Sequence, residues 1–125
     1  MLNPLIVALS VSAPAAAAQA AAPPIACRAD ALDTAQRRRQ QDLLETVRGK
    51  ALGVHELPDG LALSFPPDAP LFLDLAEWIS LERRCCPFLA FALEWSIDDS
   101  VVVRLTGQPG VEELIAAEMG VSLDP

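Results

Sequence analysis

Apolar positions along the chain follow two alternating rhythms, one helical and one extended. Asp33-Thr34-Ala35-Gln36 has the form of a capping box and predicts a helix running to about Arg48, with Gly49 as its stop. Leu43, Leu44 and Val47 supply its apolar stripe, while Arg37 to Gln41 make its first half solvent-facing. Ala51–Leu57 and Leu61–Phe65 read as two strands reversed at Pro58-Asp59-Gly60, because proline and glycine in that order favour a tight turn. Asp68 and Pro70 open a second helix from Leu71 to about Cys86, which Pro87 closes. Phe88 to Ile97 then alternates, with Phe91, Leu93, Trp95 and Ile97 on one face. Asp98-Asp99-Ser100 turns the chain into Val101–Thr106, and Pro109 is placed in the first turn of a last helix that reaches Met119 and stops at Gly120.

The predicted order is α-β-β-α-β-β-α. Two hairpins interleaved with helices imply an α+β fold, a four-stranded antiparallel sheet with helices mainly on one face.

Composition divides the chain near residue 26. Residues 1–26 carry no charged side chain, yet hold 10 of the 21 alanines and four of the eleven prolines. Beyond them about a quarter of the residues are charged, the ordinary globular proportion. The first 26 residues therefore form an Ala/Pro-rich leader, residues 27–120 a single domain and residues 121–125 a tail. Within the leader, Leu5–Val11 followed by Ala18-Gln19-Ala20 has the pattern of a secretory signal cleaved near Ala20, which would place the protein in the periplasm or outside the cell. The opposing reading is a cytoplasmic protein whose start is assigned too far upstream, since the first residues lack Lys and Arg.

Charge narrows the partners. A net charge of −8 argues against nucleic-acid binding through phosphate neutralisation. No apolar run reaches the ~18 to 20 residues of a transmembrane segment. Residues 27–50 are nonetheless basic, with Arg37-Arg38-Arg39 read as a solvated helix face beside an acidic body. No P-loop, dinucleotide fingerprint, nucleophile elbow or zinc-ribbon spacing is present.

The distinctive chemistry lies in Glu82-Arg83-Arg84-Cys85-Cys86-Pro87-Phe88. With Leu75 set at zero on a helical wheel, Leu71 lies at about −40°, Ile79 at about +40°, Glu82 at about −20° and Cys86 at about +20°. Glu82 thus occupies the middle of the apolar face, opposite Asp74, Glu77, Ser80 and Arg84. A carboxylate facing a core must be paired, hydrogen-bonded, metal-bound or protonated. Cys85, at about −80°, points to the flank beside Trp78.

Three readings follow. The cysteines are small hydrophobes that only pack, in a non-enzymatic structural or interaction domain with Glu82 tied to an arginine or to backbone N–H groups. Alternatively, Cys85, Cys86 and the remote Cys27 converge with Glu82 on a soft metal ion or a thiol partner, Glu82 acting as second ligand or proton acceptor. In the third, Cys27 forms a structural disulfide with Cys85 or Cys86, because direct closure between adjacent cysteines strains the intervening peptide. A thiol-dependent enzyme would need a cleft and a base, and the sequence supplies neither clearly. His55, the only histidine, reads as a strand residue outside any Cys–His pair; Asp98-Asp99 reads as a turn; Trp78 and Trp95 read as core anchors.

Leu75–Phe88, with Ile25-Ala26-Cys27 upstream and Val103–Gly107 downstream, resembles a family of small, uncharacterised bacterial proteins bearing E-x-x-C-C-P-F. The resemblance spans roughly residues 25–119 and implies membership without implying a reaction or a ligand.

Overall fold

A computed structural model describes residues 24–123. The elements run α1 (Thr34–Lys50), β1 (Gly53–Leu57), β2 (Gly60–Phe65), α2 (Ala69–Cys85), β3 (Leu89–Trp95), β4 (Val101–Gly107) and α3 (Val111–Met119), an α+β fold in the expected α-β-β-α-β-β-α order. The proposed signal segment and its cleavage point near Ala20 lie outside the described residues. No described helix is long and apolar enough to cross a membrane.

Local chemistry sets the helix ends. The Asp33 carboxylate accepts from Gln36 N at 2.8 Å while Gln36 Oε1 accepts from Asp33 N at 3.0 Å, a reciprocal box that satisfies two otherwise orphaned donors. Asp33→Ala should therefore cost about 1 kcal/mol, read as a lower denaturation midpoint. Asp68 caps α2 through Leu71 N at 2.9 Å. At the other end Pro87 prevents continuation, so Cys86 leaves the helix as its C-cap, φ −119° and ψ 69°, its N–H still reaching Glu82 O at 2.8 Å. α3 starts two residues later than the proline signal suggested. Gly110, at φ 101°, is its N-cap, and Pro109 lies before the helix.

The four strands form one antiparallel sheet in the order β1-β2-β4-β3. Register puts Leu61 opposite Leu105, Leu63 opposite Val103 and Phe65 opposite Val101, so the apolar positions of the central strands share one face. That face and the inward stripes of the helices make a single core centred on Trp78, which meets Phe91 edge-on at 6.3 Å between ring centroids. Trp95 departs from expectation. It lies at the surface, donates from Nε1 to Asp99 Oδ1 at 2.9 Å and leans on Phe72. Ile97 is fully exposed because β3 ends before it and the chain turns through Asp99 at φ 62°.

Candidate functional site

The three helices each place a polar side chain at one point beneath the C-terminal end of α2. Glu82 is 1% exposed, buried where its wheel position puts it. Gln40 of α1 donates from Nε2 to Glu82 Oε2 at 2.8 Å, and the Cys86 thiol donates to Glu82 Oε1 at 3.6 Å. Glu118 of α3 completes the group: one ligand atom from each of Glu82, Cys86 and Glu118 lies within 4.8 Å of the other two. Glu118 hydrogen-bonds to Glu82 and is pushed up to about 8, chiefly by burial, then by that bond and by the like charge of Glu82, against the opposing pull of Arg48. It is therefore a neutral donor at moderate pH.

Gln40 and Glu118 were not among the residues singled out from the sequence. Gln40 belongs to the segment read as solvent-facing, yet it stands four and seven residues before Leu44 and Val47, on the same stripe. Glu118 stands three residues after Ile115 and seven after Val111, both buried. The wheel that exposes Glu82 as an exception on α2 would have exposed Glu118 on α3.

The segment before α1 brings in the third cysteine. Arg28 N donates to the terminal carbonyl of α2, Cys85 O, at 2.8 Å, and Arg84 donates to Ala31 O at 2.7 Å. Arg37 donates to Ala29 O. These bonds satisfy backbone groups at a helix end and lay residues 27–31 across it. Cys27, Cys85 and Cys86 consequently line one cavity of about 290 Å³ together with Glu82, Glu118, Gln40, Arg28 and Arg37. All three cysteines are free in this structure.

The thiols differ in setting. Cys27 is exposed, Cys85 half-buried and Cys86 buried. Burial first, then Glu82, then Cys27 and Glu118 raise the pKa of Cys86, to which the Cys27 side chain is also hydrogen-bonded. Burial likewise raises Cys85, partly offset by a hydrogen bond from Gln40 and by Arg37. Neither is a resting thiolate; each is a protonated ligand that a metal ion could deprotonate.

His55 is exposed on β1 and does not line this cavity. Asp98 and Asp99 make the β3–β4 turn, where Asp98 accepts from Ser100 Oγ at 2.7 Å. Arg39 is held at the surface by Glu77, at 2.8 Å, and Asp74. Comparisons with protein-family models, curated proteins and solved structures found no match.

Proposed function

We propose that this protein binds a soft metal ion through Cys86 and Cys27, with Cys85 in reach on the same cavity and Glu82 as second ligand or proton acceptor. The observation that carries the reading is the gathering of two carboxyl groups and a thiol within 4.8 Å under a cavity whose mouth holds an exposed thiol. Pure packing favours apolar groups at such a point, since each buried carboxyl costs solvation that only a partner returns. Thiolate ligands select Cu(I), Hg(II) or Zn(II) over hard cations. On this reading Glu82-Arg83-Arg84-Cys85-Cys86-Pro87-Phe88 is the signature of the site, and the chain groups with the small bacterial proteins that share E-x-x-C-C-P-F.

Native mass spectrometry of the reduced protein with and without Cu(I), Zn(II) and Hg(II) tests this. The wild type should retain one soft ion per chain, and the Cys85→Ser/Cys86→Ser variant none. Because Cys86 is buried, Cys27→Ser serves as a second variant that leaves the core untouched, and it should hold the ion more weakly. Equal uptake by all three proteins would remove the cysteines from metal binding and favour a structural domain.

A further inference from the structure

Thiolates hold soft ions tightly, so such an ion reaches a protein from another thiolate rather than from water. Two gradients in the cavity bear on that delivery. The first is exposure: Cys27 is open to solvent, Cys85 half-buried, and Cys86 only 1% exposed, all lining the same cavity. The second is charge. Arg28 and Arg37 line the same cavity and are exposed, and the ion pairs found among the described residues involve other arginines. The carboxyl groups of Glu82 and Glu118 lie instead beside the buried thiol. In a chain of net charge −8, a rim carrying two arginines stands against the background.

Resting on the soft-metal reading above, we propose that the cavity accepts its ion from a complex with small carboxylate-bearing thiols, and that the hand-over begins at Cys27. The arginines attract the carboxylates of the carrier while the exposed thiol attacks its metal. In the first exchange a metal–sulfur bond to Cys27 forms and one carrier metal–sulfur bond breaks; the Cys27 thiol proton leaves with the departing carrier thiolate. In the second exchange a metal–sulfur bond to Cys86 forms and the remaining carrier metal–sulfur bond breaks; the Cys86 thiol proton passes through the adjacent Glu82 carboxylate to the departing second carrier thiolate. The metal keeps its oxidation state throughout, and no outside oxidant or reductant is required.

The test presents Hg(II) to the reduced protein as its bis-complex with thioglycolate, β-mercaptoethanol or cysteamine. These are two-carbon thiols of similar size whose complexes are doubly anionic, neutral and doubly cationic. Stopped-flow absorbance of the sulfur-to-mercury band follows transfer. The thioglycolate complex should react about tenfold faster than the neutral one at low ionic strength. The advantage should shrink with added salt and in Arg28→Gln, a substitution at an exposed position. Equal, salt-independent rates, or a faster cysteamine complex, with mercury still retained would overturn the anionic-carrier proposal and leave the metal site standing. Retention from none of the three carriers would overturn the metal site itself.

Discussion

Replacing Gly60 by alanine should destabilise the protein by about 3 kcal/mol or more, a large part of the stability of a domain this size. A Cβ on Gly60 would sit 2.8 Å from Thr106 Cα and 2.9 Å from the Leu105 carbonyl carbon. Both belong to the backbone of β4, which pairs with β2 at this point and is itself tied to the hairpin by Gly107 N donating to Asp59 O at 2.9 Å. Side chains can rotate away from such a contact, but a strand held in the middle of a sheet must move as a unit. The contrast is Gly49, near the end of α1, where a Cβ meets nothing within 4 Å. Gly49→Ala should stabilise by about 0.5 to 1 kcal/mol through helix propensity. Urea denaturation of the two variants, at unchanged slope, measures both signs. A Gly60→Ala midpoint within error of the wild type would show that β4 can yield.

Gly60 also marks where sequence reasoning stops. Pro58-Asp59-Gly60 identifies the reversal correctly because turn chemistry is local. The reason for glycine is non-local: the left-handed glycines are Gly110 and Gly120, and Gly60 is needed for room against a strand some forty residues later. The same division runs through the site. Glu82 is legible because a helical wheel carries its own reference frame, and a carboxylate amid Leu71, Leu75 and Ile79 stands out. The approach of Cys27 to Cys86 could be named only as one alternative among three, because it depends on how residues 27–31 dock on the end of α2. Gln40 and Glu118 fall between these cases. Each lies on the apolar stripe of its own helix, but only packing the three helices together shows that the polar exceptions meet. Ile97 fails for the opposite reason, because alternation continues in the sequence past the end of β3, whereas Trp95, still paired with Val101, stands at the last position of an edge strand.

Between about pH 5 and pH 8 the protein should lose stability, and Glu118 should be the cause. Its carboxyl is pushed up to about 8 from an ordinary value of 4.5. Across the interval between those values the folded state holds a proton that the unfolded chain has released. The favourable contribution is therefore complete below pH 4.5, declines as pH rises, and is gone once pH passes about 8. A raised carboxylate of this kind makes the loss on the order of a few kcal/mol. Other shifted groups leave the window clear: Glu77 and Asp98 are lowered by their hydrogen-bond partners, and Cys85 and Cys86 are raised by burial from a value of 9.0. Urea midpoints over this pH range should fall for the metal-free wild type and stay level for Glu118→Gln, which keeps a donor toward Glu82 without a proton to lose. Glu82→Gln should flatten the slope only in part, since it removes the like charge but leaves the burial that contributes most to the shift. If wild type and Glu118→Gln share one pH slope, the proton belongs elsewhere, and Glu118 is not the neutral donor to Glu82.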